Sequence, residues 1–304
     1  MMRRKLLLTL SLCSELLLMC CLPTSAVAQD KARPVTSTIS LQTGQGAVRD
    51  TYLTPLLYGG RSTAVNYERW QMMSNLKWNT QQMTELSFLN ADSNDAISST
   101  WAGRLRYHFA AHKVWRIEHG NGMRWFVPNT VCVGPYLATE MGFNYNLKLA
   151  NANNPATARL AEQAGLSVMA NWKYSIRKQP CEVMLHVKAP MMGVAFVPEY
   201  GASYYETFYL DNTENTVHFT SLHNQQDLDI RLTTDIPLSV IRFLRRLDMT
   251  MRLGLSYHIE TMDINNIVTR MNSAHFVIGW TYHYLPLSSR RKVNSIIKEP
   301  VYAY

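Results

Sequence analysis

Ser256, His258 and Glu260 stand two residues apart in a run, Met249 to Glu260, whose residues alternate between apolar and polar. In an extended strand that spacing places all three on one face. A serine beside a histidine is a pairing used for nucleophilic hydrolysis. The imidazole takes the hydroxyl proton, and a third polar group orients the ring. The row has a plainer reading as well, because a polar strand face has to be made of something. A second candidate is the stretch Ala189 to Leu210, rich in apolar and aromatic residues and holding two prolines. Met191, Met192, Phe196, Tyr200, Tyr204 and Tyr205 there are expected to cover, or be covered by, a small apolar or lipid-like ligand. The alternative is a loop that simply packs over one end of the fold. Arg242, Arg245 and Arg246 follow Pro237 and are placed either to meet lipid phosphates or to form a solvated turn. No zinc spacing, phosphate loop or paired-carboxylate signature is present. The expectation is no cofactor and no metal. The chain carries a formal charge of +8 but has no basic tail or nucleic-acid motif, so nucleic acid is not an expected partner.

These residues must be positioned by strands, because period-2 alternation dominates the sequence. In Met249 to Glu260, Met249, Met251, Leu253, Leu255, Tyr257 and Ile259 oppose Thr250, Arg252, Gly254, Ser256, His258 and Glu260. A helix would scatter these charges around its circumference. Trp101, Leu105, Tyr107 and Phe109 oppose Arg104, Arg106 and His108. Leu137, Met141 and Phe143 oppose Glu140, Asn144 and Lys148. Leu166, Val168 and Trp172 oppose Ser167, Asn171 and Lys173. Phe276, Ile278 and Trp280 oppose His275, Thr281 and His283. Weaker versions lie near residues 36–41, 63–70, 76–88, 183–188, 217–222 and 228–233. Together they predict an all-β, antiparallel transmembrane β-barrel of roughly ten to twelve strands, since bacterial barrels take even numbers. Several runs reach the roughly 9–11 residues that a tilted strand needs to cross a bilayer, whereas soluble strands are nearer five or six. A soluble secreted β-sandwich shows the same alternation and is the competing architecture. Trp70, Trp78, Trp101, Trp172, Trp280, Tyr174 and Tyr284 lie near segment ends, where interfacial girdles would stand. The polar faces mix both signs, with Glu68, Arg104, Arg106, Glu140, Lys148, Lys173, Arg252 and Glu260 as inward candidates. A selective pore would show one sign, so the expectation is a narrow lumen filled by paired charges.

The N-terminus reads as a secretory signal. Arg3, Arg4 and Lys5 precede an apolar run, Leu6 to Leu22, and then Pro23 to Ala28, with small residues at Ala26 and Ala28. Cleavage is expected between Ala28 and Gln29, leaving 29–304 as one barrel domain. Cys20 and Cys21 suggest a lipoprotein, but Met19 is too bulky for the position before such a cysteine. The apolar run is too short and interrupted to be an anchor, and no later segment offers the about 18 apolar residues of a membrane helix. Cys132 and Cys181 then remain, as apolar fillers or as a disulfide. The expected destination is the outer membrane, with membrane lipid or lipopolysaccharide and the outer-membrane assembly machinery as partners. Residues 286–304, with Arg290, Arg291 and Lys292, form either a short periplasmic tail or the approach to a final strand ending at Tyr304.

The signal, the opening Asp50 to Leu56, the strand Asn66-Tyr67-Glu68-Arg69 and the stretch Gly201 to Glu206 together resemble a Bacteroides-type exported family known only as a domain of unknown function. The resemblance implies an outer-membrane barrel and no established activity. Separately, Glu118-His119-Gly120-Asn121-Gly122 is loosely similar to the His-x-Ser-Asn-Gly motif of outer-membrane phospholipases, but it lacks the serine. The primary expectation is therefore a non-enzymatic outer-membrane barrel that binds or passes an apolar ligand. An outer-membrane lipid hydrolase and a secreted sandwich are the alternatives.

Overall fold

The computed structural model describes residues 34–73, 77–117, 127–147, 155–210, 213–240 and 249–284. Among these residues eleven strands form one antiparallel sheet: β1 (Val35–Asp50), β2 (Thr54–Met72), β3 (Trp78–Ser93), β4 (Ser99–Arg116), β5 (Thr130–Asn146), β6 (Ala156–Ile176), β7 (Gln179–Phe196), β8 (Val217–Ser221), β9 (Gln225–Pro237), β10 (Thr250–Ile264) and β11 (Ile267–Tyr284). Strands β1 to β7 pair in order, as do β9, β10 and β11; β7 pairs with both β9 and β8, and β1 pairs with β11. The result is a closed ten-stranded barrel, with β8 added outside it. Closure leaves the wall without an unpaired edge, the requirement for a sheet in lipid. Among the described residues no helix is long and apolar enough to cross a membrane.

The wall is inverted relative to a soluble protein. Ile39, Leu41, Val65, Leu86, Leu105, Leu137, Leu166, Leu232, Leu255 and Phe276 are exposed on the outside, whereas Gln42, Glu68, Glu85, Arg104, Glu140, Lys188 and Arg252 are buried inside. Alternation along each strand produces this directly. Both chain ends of the barrel lie at one rim, where Val35 pairs with Tyr284. Tyr67, Trp115, Trp280, Tyr282 and Tyr284 are exposed towards that rim, as an interfacial girdle requires. Trp70 departs from the sequence expectation. It is fully buried inside the lumen, stacked at 5.4 Å on His112, because its position on β2 falls in the inward row of Asn66 and Glu68. Cys132 and Cys181 are both free and buried, so they are not paired with one another.

The stretch Ala189 to Leu210 is not one irregular loop. Its first part, to Phe196, completes β7. The rhythm breaks because Met191 is an extra residue: Gly165 faces Pro190, and Ala164 faces Met192. This is a β-bulge, which throws successive side chains onto one face. A short helix α1 (Tyr204–Phe208) follows, closed by a capping box between Ser203 and Glu206. The two-residue turns Arg177–Lys178 and Asn265–Asn266 both have positive φ at each residue, the form that matches the twist of a hairpin.

Strand β5 packs so closely on β4 that a Cβ at Gly134 would stand 1.9 Å from the carbonyl oxygen of Ala111. Folded protein left unheated in detergent should migrate ahead of the boiled form in gel electrophoresis. The Gly134→Val variant should lose that fast band, because its side chain meets backbone rather than a yielding side chain. A fast band retained by the variant would contradict the β4–β5 register.

Candidate functional site

The lumen holds the densest chemistry in the protein. Glu85 on β3 pairs with Arg106 on β4, and across the barrel with Arg231 on β9 at 2.5 Å. Gln42 and Asn66 donate to the same carboxylate. Arg231 also meets Asp229, which in turn lies 3.6 Å from Lys188. Nearer the terminus-bearing rim, Arg252 donates two bonds of 2.8 Å to Asp235 and one of 2.5 Å to Glu68. Nearer the opposite rim, Glu140 receives Arg104 at 3.3 Å and Arg159 at 3.0 Å, and Arg159 also pairs with Glu260. Asn144 carries the chain on from Arg104 to Asp50. Charges that lie far apart in sequence are thus used up against one another across the lumen.

Apolar layers close both ends of this network. Trp70, Met72, Cys132, Met169 and Met184 pack together inside the terminus-bearing end. Val48, Tyr58, Leu89, Ala91, Ala102 and Met271 pack inside the other, beside a second cluster of Ala161, Ala195, Val197, Met262, Ile264 and Ile267. Between them, a cavity bordered by Arg106, Glu140, His258 and Glu260 measures about 10 Å³, the space of about one water.

The predicted row Ser256, His258 and Glu260 does face inward, but each member is engaged separately. Ser256 donates to Gln42 at 2.8 Å. His258 lies 3.0 Å from Arg106 and 3.4 Å from Asp227. Glu260 is held by Arg159 and Gln225. Among the inward charge candidates, Lys173 is instead exposed at the end of β6, past the last inward layer. Lys148, Arg242, Arg245, Arg246, the Glu118–Gly122 motif, the signal segment and residues 286–304 lie outside the described residues.

The lumen also assembles a constellation that was not read from the sequence. Asn79 Oδ1 stands 3.1 Å from His112 Nδ1, and His112 Nε2 stands 2.8 Å from Ser167 Oγ, which is 2.8 Å from His186 Nε2. With Nδ1–H given to Asn79, His112 accepts the serine proton, and His186 donates to the serine oxygen. This is the arrangement of an activated serine. Yet Asn79, His112 and Ser167 have no exposed surface, and Trp70 lies over both imidazoles. The four residues come from β3, β4, β6 and β7, so spacing along one strand could not reveal them. Their only sequence signal was Ser167 on a polar face.

The six expected ligand residues are spread over the outer wall and the far rim. Met191 and Met192 are exposed beside the bulge, and Tyr200 and Tyr205 are exposed beyond β7, with Tyr205 stacked on Tyr209 at 4.7 Å. Tyr204 folds back, its hydroxyl accepting from the amide of Ala158 at 2.5 Å. Tyr52 meets Tyr204 edge-on and donates to the carbonyl of Ala202 at 2.6 Å. Burial, with Tyr204, Asp50 and Glu206 adding negative potential, pushes the Tyr52 phenol far above its ordinary range. Phe196 borders a cavity of about 30 Å³ with Asp50, Tyr52 and Arg159.

Among solved structures the chain is similar to the outer membrane protease OmpT from Escherichia coli, at 4% identity and a TM-score of 0.42, over 86% of this chain and 100% of that one. It is also similar to the beta domain of the Bordetella autotransporter BrkA, at 11% identity and a TM-score of 0.37, over 83% and 99%. The translocator domain of the autotransporter NalP from Neisseria meningitidis matches at 7% identity and a TM-score of 0.34, over 85% and 90%. No curated protein matches by sequence. Residues 8–291 match the family described as protein of unknown function (DUF3316), and the chain belongs to that family.

Proposed function

We propose that the protein is a non-conducting outer-membrane barrel, exported with cleavage between Ala28 and Gln29, that acts as a rigid binding platform rather than a pore. The observation that carries this reading is the lumen: among the described residues, ion pairs fill its middle and apolar layers pack inside both ends. An exported chain reaches the outer membrane from the periplasm, so the rim bearing both chain ends faces inward. The opposite rim, which carries α1 and its exposed tyrosines between β7 and β8, faces out. Loops on a rigid scaffold are where binding residues concentrate. The assembly machinery and membrane lipid are the partners this reading implies.

The lipid-hydrolase alternative has two serines to offer. Ser256 gives its proton to Gln42 rather than to the histidine two residues along. Ser167 has the geometry but no access for a lipid ester. Both single variants, Ser256→Ala and Ser167→Ala, should leave phospholipid and lipid A hydrolysis in membranes where the wild type leaves it. A loss specific to either would revive catalysis.

In planar bilayers the purified protein should show no steady single-channel conductance, and large stable openings would refute the platform reading. Removing one partner of a buried ion network strands the others, at a cost of about 3–5 kcal/mol. Glu85→Ala should therefore lower the urea midpoint of unfolding by an amount corresponding to that range, because Arg106 and Arg231 lose their shared carboxylate.

A further inference from the structure

We propose that the outer wall formed by β2, β1, β11 and β10 carries a binding site for a phosphorylated, multiply acylated glycolipid of the outward-facing leaflet. The proposal rests on the outer-membrane platform reading.

The site is built from outward rows just beyond the apolar belt. Moving up the wall from Leu41, Val65 and Phe276, the outward residues turn polar. Gln45 pairs with Arg61 on β2 and with Ala274 on β11, whose other neighbour is Tyr257. The next row is Ala47, Gly59 and Asn272, and the one after is Arg49 opposite Arg270. Strand rise puts about 13 Å between the Arg61 row and the Arg49–Arg270 row.

Two features of these arginines are costly without an anion. Arg49 and Arg270 are direct cross-strand partners, and like charges in that position repel. Arg49 Nε is buried with no hydrogen-bond partner among the described residues. Among those residues, none of Arg49, Arg61 and Arg270 makes an ion pair. The nearby carboxylate of Asp92 is turned to Ser99, from which it accepts at 2.6 Å. Phosphates would supply what is missing at both rows.

Between the cationic rows lies an open groove of about 590 Å³, lined by Gln45, Gly59, Arg61, Tyr257, Asn272 and Ala274. Gly59 forms its floor, and a Cβ there would meet nothing within 4 Å. A flat polar unit such as a sugar fits such a floor, with amides and a phenol at its border. Directly below, starting two residues along β2 at Thr63, a second groove of about 490 Å³ runs across β1 to β5. It is lined by Leu41, Val65, Leu86, Phe88, Leu105 and Phe143, with the Phe143 ring lying over Gly103, where a Cβ would stand 2.4 Å from it. Cations, a polar cradle and an apolar channel are thus stacked in the order of phosphate, sugar and acyl chain. A free phosphate would use only one of the three, and a single-chain anion only two.

The test is retention of added lipid by the full chain in detergent, read by native mass spectrometry. The probes are lipid A, its dephosphorylated form, phosphatidylglycerol and inorganic phosphate. The wild type should retain lipid A over the other three. The triple variant Arg49→Gln, Arg61→Gln, Arg270→Gln should lower that retention on the order of a hundredfold, about one interfacial contact per arginine. Gly59→Phe keeps every charge, fills the cradle and should also release lipid A. Both variants should keep the heat-modifiable gel band, since all four positions face outward. Equal retention of dephosphorylated lipid, of phosphatidylglycerol or by the triple variant overturns the proposal, as does competition by inorganic phosphate. Absence of the wild type from the outer-membrane fraction would instead overturn the platform reading.

Discussion

A wall that lies in lipid must turn its polar side inward, and among the described residues of this barrel ion pairs and apolar layers receive it. Everything else follows from that pairing of constraints. Each strand contributes one apolar and one polar row. The polar rows meet in the lumen, where their side chains are buried. The charges must then neutralise one another, and they do so between neighbouring strands and also across the barrel, β3 with β9, β2 with β10, β6 with β10. The interior of the barrel is therefore the analogue of a hydrophobic core, with ion pairs in the place of methyl groups. Where charges thin out towards the rims, ordinary apolar packing returns around Trp70 at one end and around Tyr58 and Met271 at the other.

The alternation made most of the fold legible. A period of two is a local property, and it survives in any sequence where one face meets lipid and the other meets charge. Residues 249–260 gave β10 with the correct face inward, and the mixed signs of Glu68, Arg104, Glu140 and Arg252 pointed to a filled lumen. The errors came where period alone is blind. Trp70 looked like a girdle residue because tryptophan prefers interfaces, yet its row on β2 points inward. Ala189 to Phe196 looked irregular because one inserted residue, Met191, shifts the rhythm by one. Arg177 and Lys178 gave no sign of a turn, since neither residue favours positive φ; the two-residue β6–β7 hairpin imposes it on them.

The candidate sites were legible in proportion to their locality. Ser256, His258 and Glu260 share a strand, so their common face could be read, but not that Gln42, Arg106 and Arg159 would claim them one by one. The Asn79–His112–Ser167–His186 set was invisible for the opposite reason: four strands contribute one residue each. The arginine rows belong to the same class. Arg49, Arg61 and Arg270 are ordinary surface cations in sequence, and only register puts two of them side by side.

The ion pairs that cross the lumen also constrain how such a barrel is made. Arg159 on β6 finds Glu260 only on β10, and Glu85 on β3 finds Arg231 only on β9. A sheet threaded into the bilayer strand by strand would carry its early cations through hydrocarbon before their counter-charges arrived. The cheaper route keeps the inner face wet until the late strands are in place and then expels the water as the ends pack. Drying of the interior and sealing of the wall are thus thermodynamically coupled, since each cross-lumen pair exists only with β9 and β10 in place.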